Sequence, residues 1–317
     1  MQIDDDTQAL IDERIKSNAP ALESFTPQEL RDLRAKMAET PVEFRIEISD
    51  VEDTFVKGTL GDIPIRRYFD YHTNSAKNKK SPLIIYFHGG GFVMGDLESH
   101  DLVCRHLCRE AKATIIAVDY KLAPEFKFPA AIIDTEDAIK EIINRSEEFN
   151  IDTNQIILCG DSAGGALATV GTIMSRDGKV PQVHGQILVY PWVDMTMCRR
   201  SMDIKLEGMI LNKKTIAYFA NHYLNTSEEQ VDWRASPLLT SNLSNLPPTY
   251  IYGAGLDPLV DEGDAFKRRL LSFGNEVHYR LFPGQMHAFI SNSIQLPTSL
   301  ICIKEMGIAA QNIFSKR

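Results

Sequence analysis

The stretch IILCGDSAGGALATV, residues 156–170, decides how this chain folds. Its apolar start is typical of a buried strand, and its small, mostly apolar end continues as a helix. Between the two, Ser162 stands at the centre of a G-x-S-x-G pattern, flanked by Gly160 and Gly164. In a strand–turn–helix context this pattern predicts a nucleophile elbow, a sharp turn whose small neighbours leave the serine hydroxyl exposed at the start of a helix.

Two other interpretations of this turn have to be weighed. A plain glycine-rich connection is one of them, since G-x-S-x-G also arises by chance. A phosphate-binding loop is the other, but GDSAGGAL does not match G-x-x-x-x-G-K-[ST]. The elbow interpretation therefore depends on finding a base, an acid and oxyanion donors elsewhere in the chain.

The base is sought among the histidines that follow the serine, because the order on such a scaffold is serine, acid, histidine. His287 lies in FPGQMHAF, directly after the last predicted strand, which is where a catalytic group belongs. The other three precede or lie inside predicted elements: His184, His222 and His278. The pattern favours His287 as the base that activates Ser162.

The acid is expected after the strand TYIYGAG, in the sequence LDPLVDEG. Asp257 lies just beyond the end of this strand, where it can orient a histidine. Asp261 and Glu262 are rivals, but they fit better in the first turn of the following helix, near its positive end. We predict that Asp257 is the acid.

Oxyanion donors are expected in the loop after an earlier strand, and LIIYFHGGGF supplies such a loop. Gly89, Gly90 and Gly91 can turn their amides toward a reacting carbonyl without an intervening side chain. A flexible loop is the alternative. His88 is expected to brace this loop, and the amide of Ala163 lies at the start of the helix after the serine.

Short apolar runs separated by helical patterns predict a mostly parallel sheet with helices on both sides. The runs are LIIYFH, TIIAVDY, QIILCG, QILVYP and TYIYGAG, with helices near 97–111, 129–148 and 163–176, a last strand EVHYRLF and a final helix at 298–315. Antiparallel strands are expected before these, from the alternation of Phe44, Ile46 and Ile48 and then of Ile63, Ile65 and Tyr68.

Two segments fall outside this alternation. The pattern of residues 1–40 predicts polar helices, with a capping box of Thr26 and Glu29. Nearly sixty residues separate QILVYP from TYIYGAG, too many for one crossover, and they include a helix capped by Asn212. We predict an N-terminal helical cap (1–42), a core (43–194), an inserted cap segment (195–235) and the rest of the core (236–317).

Composition narrows the function classes. The chain has 317 residues and a formal charge of −9, which argues against binding to nucleic acid or to anionic membranes. Neither a signal-peptide pattern nor a membrane-length apolar run is evident, so we expect a cytoplasmic protein. Cys104 and Cys108 could share a helix face, but no second cysteine pair completes a metal site, which favours reduced, packed cysteines.

Five segments together resemble a known family: HGGGFVMGD, DYKLAPEFKFPAA, GDSAGGALA, GLDPLVDEG and GQMHAF. In this order, over about residues 82–290, they are similar to the hormone-sensitive-lipase-like carboxylesterases of the α/β-hydrolase superfamily. The resemblance implies an α/β-hydrolase fold, with a mostly parallel eight-stranded sheet, helices on both faces and a helical cap. It also implies no cofactor and no metal, and a homodimer that pairs through the last strand.

The resemblance assigns roles to residues of this chain. Ser162 would be the nucleophile, Asp257 the acid and His287 the base, with an oxyanion hole formed by the amides of Gly89, Gly90 and Ala163. Two positions depart from the family pattern, Ala166 in place of asparagine and Ala288 in place of glycine. Because neither is a reacting group, they bear on substrate preference. Asp119 and Glu125, in the DYKLAPE segment, are not expected to be catalytic.

We therefore predict a serine carboxylesterase that acts on small, short- to medium-chain esters through an acyl-enzyme. An amidase or deacetylase with the same residues is the alternative. A true lipase would need an exposed apolar lid, and the polar sequence of the predicted cap does not indicate one. A non-catalytic small-molecule receptor is the alternative from another class, and the presence of His287 argues against it. The residues Met209, Ile210, Phe219 and Tyr223 either line the cap side of the pocket or pack as ordinary apolar residues.

Overall fold

A computed structural model of the protein describes residues 3–38, 45–70, 80–292 and 294–316. Its strands are β1 (Asp50–Val56), β2 (Ile63–Phe69), β3 (Ser81–Phe87), β4 (Thr114–Val118), β5 (Ile151–Asp161), β6 (Gly185–Val189), β7 (Thr249–Leu256) and β8 (Val277–Met286). They form one eight-stranded sheet in the order β1-β2-β4-β3-β5-β6-β7-β8. β2 runs antiparallel to both of its neighbours and every other pairing is parallel, as predicted.

Helices cover both faces of this sheet and also lie in the predicted cap segments. The described helices are α1 (Asp5–Lys16), α2 (Pro27–Ala38), α3 (Asp101–Ala111), α4 (Ala130–Asn144), α5 (Ala163–Arg176), α6 (Lys213–Tyr223), α7 (Val260–Ser272) and α8 (Thr298–Ser315). Apolar side chains of α4, α5 and α7 pack on one face, and those of α3 and α8 pack on the other. The α/β-hydrolase fold expected from the resemblance is confirmed.

The central strand shows why its apolar run is continuous. Along β3, Leu83 and Ile85 pack toward α4 and α5, whereas Ile84 and Tyr86 pack toward α3 and α8. Side chains of a strand alternate between the two faces, so a strand covered on both faces is apolar at every position. All four are fully buried, and burying an isoleucine or leucine side chain contributes about 1.5–3 kcal/mol.

The carboxyl ends of the parallel strands lie along one edge of the sheet. β3 ends at Phe87, β5 at Asp161, β7 at Leu256 and β8 at Met286. The next residue of each strand therefore lies near this edge, which is where ligands bind in open α/β sheets. This topology brings distant parts of the sequence to one place.

Helices α1, α2 and α6 lie in the predicted cap segments. The capping box of α2 forms as predicted, because the Thr26 amide donates to Glu29 Oε2 at 2.8 Å. Asn212 Oδ1 likewise accepts from two amides in the first turn of α6. The two segments meet where the Tyr218 hydroxyl donates to the Phe25 carbonyl at 2.9 Å. The domain boundaries themselves stay a prediction, and residues 39–42 lie outside the described ranges.

The first predicted strand differs from the structure. Phe44 lies outside the described residues, and Ile46 and Ile48 precede β1, which begins at Asp50. Asp50 pairs with Phe69, the last residue of β2, so the partner strand ends there.

None of the described helices combines the length and the apolar character needed to span a bilayer.

Candidate active site

The turn at Ser162 has the geometry expected of a nucleophile elbow. Ser162 connects β5 directly to α5 with φ of 53° and ψ of −119°, a conformation that L-residues rarely adopt. A Cβ on Gly160 would lie 2.4 Å from the carbonyl carbon of Gly164, and one on Gly164 would lie 2.0 Å from the carbonyl oxygen of Phe87. Both positions therefore require glycine, which lets α5 begin in contact with β3.

Three predicted residues form one chain of hydrogen bonds. Ser162 Oγ lies 2.9 Å from His287 Nε2, and His287 Nδ1 lies 2.7 Å from Asp257 Oδ2. The other Asp257 oxygen accepts from the Leu259 amide at 2.8 Å, which fixes the carboxylate. Asp257 is fully buried, while Ser162 and His287 are 7% and 6% exposed. A proton can thus pass from the hydroxyl to an imidazole whose second nitrogen faces a carboxylate.

The rival acids are engaged elsewhere. Asp261 and Glu262 lie in the first turn of α7, as predicted. Asp261 accepts from the Ser201 amide at 2.9 Å, and Glu262 accepts from the amides of residues 193 and 194. Burial raises the pKa of the Glu262 carboxyl well above its usual range. Neither group is bonded to His287.

The loop after β3 lines the same cavity as the serine hydroxyl. Gly89, Gly90 and Gly91 all contribute to its wall. Gly90 has φ of 125°, and a Cβ there would lie 2.0 Å from the Met94 carbonyl oxygen, so no other residue fits. Within the described ranges, the amide hydrogens of Gly90, Gly91 and Ala163 have no hydrogen-bond acceptor. These donors are available to a bound group.

Gly89 requires a correction to the predicted oxyanion hole. Its amide donates to Asp161 Oδ1 at 2.9 Å, inside the fold, so it is not available to a reacting carbonyl. A backbone amide has one hydrogen, and the sequence could not show that this hydrogen was already used. Gly89 instead fixes the position of the loop that carries Gly90 and Gly91.

Asp161 is a buried residue of the site that the sequence interpretation did not identify. Its carboxylate also accepts from the Tyr86 hydroxyl at 2.8 Å and lies 3.2 Å from His100 Nε2. Burial raises the pKa of Asp161, but His100 and Tyr86 outweigh this and hold it below its ordinary value. The sequence did contain a sign of this role, because the IILCGD run places a charged residue at the end of a buried strand, where it needs a partner.

Tyr190 packs against the imidazole of His287. Their ring centroids are 4.5 Å apart, and the Tyr190 amide donates to the Tyr252 carbonyl at 2.6 Å. The residue has φ of 33°, an uncommon value for tyrosine, and it lies at the carboxyl end of β6. It limits the rotation of the histidine ring, and no motif marked it.

A cavity of about 410 Å³ opens above the serine. Apolar side chains form most of its wall: Leu22, Phe25, Leu30, Met94, Trp192, Ile210, Leu211, Ile216 and Phe219. Polar and charged lining comes from Glu13, Arg14, Arg34, His100, Ser291, Asn292 and Gln295. The volume suits a small ligand whose body is apolar.

The four cap residues divide between the two interpretations of the sequence. Ile210 and Phe219 line the cavity. Tyr223 is fully buried with its ring stacked on Phe92 at 4.0 Å, and Met209 is also buried away from the described cavity wall. Helical spacing cannot separate these outcomes, because Phe219 and Tyr223 are four residues apart on the same face of α6, and Met209 and Ile210 precede that helix.

His88 braces the glycine loop, as the sequence suggested. Its Nδ1 lies 2.7 Å from the Gly89 carbonyl oxygen, and its ring stacks on Tyr120 at 4.4 Å. The Tyr120 hydroxyl in turn donates to the His88 carbonyl at 2.7 Å. Nearby, Glu125 pairs with Arg31 at 2.7 Å.

The cysteines are free thiols, and Cys104 and Cys108 are buried in the packing of α3. Burial raises the pKa of the Cys108 thiol to about 12, so it stays protonated. Among the described residues, histidine, cysteine and acidic side chains form no group of three that could hold a metal ion.

Fold and site together define the class as an α/β hydrolase. A family model described as the alpha/beta hydrolase fold matches residues 84–291, from β3 to just past the histidine. The chain belongs to this family. The resemblance to the hormone-sensitive-lipase-like carboxylesterases is thereby confirmed.

Several similar proteins are named as ester hydrolases. The chain is 37% identical over 253 residues to the carboxylic ester hydrolase LipN of Mycobacterium tuberculosis, covering 76% of this chain and 65% of that protein. It is 36% identical to an ethyl acetate hydrolase of Pseudomonas putida, covering 77% and 76%, and 31% identical to an arylesterase of Saccharolobus solfataricus, covering 84% and 87%. The predicted enzyme class, carboxylic ester hydrolase, is confirmed at the level of the family.

Solved structures agree over nearly the whole chain. An ester hydrolase from the metagenome of Lake Arreo superposes with a TM-score of 0.92 at 32% identity, covering 99% of this chain and 100% of that one. An esterase of Pyrobaculum calidifontis superposes with a TM-score of 0.89 at 31% identity, covering 98% and 99%.

Proposed function

We propose that this chain is a serine carboxylesterase that cleaves short- to medium-chain esters through an acyl-enzyme. The observation that carries the proposal is the continuous chain of contacts, 2.9 Å from Ser162 to His287 and 2.7 Å from His287 to Asp257, at the wall of a cavity. Ser162 is the nucleophile, His287 the general base and Asp257 the acid that orients it.

Acylation begins when His287 Nε2 takes the hydroxyl proton and Ser162 Oγ forms a bond to the ester carbonyl carbon. The carbonyl electron pair moves to its oxygen, which becomes an oxyanion. Asp257 keeps the imidazole in the tautomer whose Nε2 is free, and stabilises the imidazolium. When the tetrahedral intermediate collapses, the imidazolium gives its proton to the leaving alkoxide, which departs as an alcohol.

The amides of Gly90, Gly91 and Ala163 are the proposed donors to the oxyanion. Each lacks another acceptor within the described residues, and Ala163 lies at the N-terminus of α5, whose dipole favours negative charge. A donor of this kind is typically worth about 10²–10³ in turnover. Water activated by His287 then hydrolyses the acyl-enzyme by the same steps and releases the acid.

Substrate length follows from the cavity. Burying each methylene of the acyl chain against the apolar wall contributes about 0.8 kcal/mol. If this free energy is realised in the transition state, kcat/KM should rise roughly fourfold per methylene until the chain fills the cavity. A volume of about 410 Å³ reaches that limit with short to medium acyl groups. The names of the relatives favour esters over amides as substrates.

A homodimer that pairs through the last strand also stays a prediction. β8 is the edge strand of the described sheet, so one side of its backbone has no neighbouring strand there.

The proposal is tested with 4-nitrophenyl butyrate and its amide counterpart, 4-nitrobutyranilide. The wild type should hydrolyse the ester far faster than the anilide. Ser162→Ala should lower kcat on the ester by at least about 10⁴-fold, because the nucleophile is removed. Wild-type turnover in that variant would refute the assignment, and a comparable rate on the anilide would favour an amidase.

A fluorophosphonate provides an independent readout that does not depend on turnover. The phosphonyl group should be found by mass spectrometry on Ser162 alone, with fluoride released. Ser291, which lines the same cavity but donates to the Ala288 carbonyl at 3.1 Å, is the internal control and should stay unlabelled. Labelling of Ser291, or of neither serine, would contradict the proposal.

A further inference from the structure

One arginine of the cavity wall has no hydrogen-bond partner among the described residues. Arg31 and Arg34 lie one turn apart on α2. Arg31 is fully engaged, donating to the carbonyls of Val93 and Ala123 and pairing with Glu125 at 2.7 Å. Arg34 faces the cavity, and across the described ranges it makes neither a hydrogen bond nor an ion pair.

The setting of Arg34 makes this unusual. Burial lowers the pKa of its guanidinium, and the charges of Asp161 and Asp96 offset only part of that effect. Asp161 is no ion-pair partner, since it already accepts from Tyr86 and Gly89 and is 2% exposed. A partly desolvated cation without a partner is unfavourable, which suggests that a bound ligand supplies the missing hydrogen-bond acceptors and negative charge.

The other charged groups of the wall do not satisfy Arg34. Glu13 lies exposed on α1, and its carboxylate makes no ion pair with Arg34. Arg14, on the same helix, donates through Nε to the Gly208 carbonyl at 2.9 Å. Of the two arginines in the described wall, Arg14 is therefore partly engaged, whereas Arg34 has no hydrogen-bond partner among the described residues.

We propose that Arg34 binds a carboxylate carried by the substrate, so that the preferred esters are monoesters of short dicarboxylic acids. This inference rests on the proposed esterase function, since it places the second carboxyl group in the same cavity as Ser162. The planar guanidinium matches a carboxylate with two parallel hydrogen bonds. One cation in a mostly apolar wall suits a monoanion with a short methylene chain.

The test uses pairs of ethyl esters that differ only in charge. Monoethyl succinate, glutarate and adipate are each compared with the ester whose free carboxyl is replaced by a carboxamide, and released ethanol is measured. The wild type should prefer the carboxylate member of at least one pair by about 10- to 100-fold in kcat/KM. Arg34→Gln should bring that ratio close to one.

Two further variants make the result specific. Arg34→Lys keeps the charge but loses the paired geometry, so it should retain a reduced preference, and it tests the idea even if Arg34→Gln does not fold. Lys36→Gln removes a charge from the exposed side of the same helix and should keep the wild-type ratio. A ratio that falls equally in Lys36→Gln would assign the effect to net charge and overturn the role of Arg34.

The outcomes separate this inference from the function on which it rests. If the wild type hydrolyses the carboxamide esters but does not prefer their carboxylate partners, the inference is wrong and the esterase proposal stands. The same holds if Arg34→Gln retains the wild-type ratio. If the wild type hydrolyses 4-nitrophenyl butyrate but none of these ethyl esters, the inference alone is wrong, and if it hydrolyses neither, the esterase proposal is wrong as well.

Discussion

Replacing Gly164 by alanine adds one methyl group at the point where α5 leaves the elbow. In the native geometry that carbon would lie 2.0 Å from the carbonyl oxygen of Phe87 and 2.6 Å from that of His88. Even a weak C–H···O contact needs about 3.3 Å between carbon and oxygen. The start of α5 must therefore move by roughly 1 Å away from β3.

The cost has two parts. Forcing a methyl group into a packed site typically destabilises a protein by about 1–3 kcal/mol, since the neighbours are backbone atoms that cannot rotate away. The same movement shifts Ser162 relative to His287, whose atoms are 2.9 Å apart. A misplacement of about 1 Å can cost about 100-fold in rate, so kcat should fall by that order even where the variant is folded.

Urea unfolding and steady-state kinetics on 4-nitrophenyl butyrate measure both parts. Gly263→Ala is the matched control, because it is also a helical glycine but its added Cβ would have no atom within 4 Å. It should leave kcat unchanged and raise the free energy of unfolding by about 0.5–1 kcal/mol, through helix propensity. Wild-type stability and turnover in Gly164→Ala would refute the close-approach argument.

Two other predictions concern the buried charge network. Asp161→Asn should lower kcat about tenfold with little change in KM, because a charge-assisted hydrogen bond from the Gly89 amide becomes a neutral one. An unchanged kcat in the folded variant would contradict the role of Asp161 in positioning the glycine loop. Stability should fall as the pH drops below about 6.5, because burial lowers the pKa of His100 and the unfolded chain then binds that proton more readily. Urea unfolding near pH 8 and pH 5.5 should show a smaller difference in His100→Gln, and an equal difference would count against His100 as a source.

The parts of the site that could be predicted from sequence are those fixed by strand ends. Ser162 and His287 are 125 residues apart, yet each directly follows a parallel strand. Parallel strands share a carboxyl edge, so a pattern that locates strand ends also brings these residues together. The elbow was predictable for a related reason, since only glycine permits the contacts at positions 160 and 164.

Hydrogen-bond partners could not be predicted in the same way. HGGG shows a loop with accessible amides, but it does not show that the Gly89 hydrogen is taken by Asp161. Alternation at Ile46 and Ile48 similarly reports which side a residue faces, not whether a neighbouring strand extends far enough to pair with it. β2 ends at Phe69, opposite Asp50, and this ending decided where β1 begins.

A departure from the family pattern also acquires a physical meaning. Ala288 follows the histidine with φ of 64°, in the left-handed region that glycine adopts at no steric cost. An L-residue there costs roughly 1–2 kcal/mol, which is a physical reason for the glycine of the family pattern at this position. Because the side chain of Ala288 lines the cavity, the strained alanine also narrows the space beside His287.

Selectivity has a different origin from reactivity in this chain. The groups that we propose to react follow strands of the sheet, and the proposed chemistry constrains their spacing to a few tenths of an ångström. Half of the residues that line the cavity come from the two predicted cap segments, whose helices α1, α2 and α6 have amphipathic sequences like those of any surface helix. Arg34 looks like any other charged residue of such a helix in the sequence, and only the fold shows that it lines the same cavity as Ser162 without a partner among the described residues. Motifs can therefore identify the reaction, whereas the preferred substrate depends on side chains that become significant only through their three-dimensional neighbours.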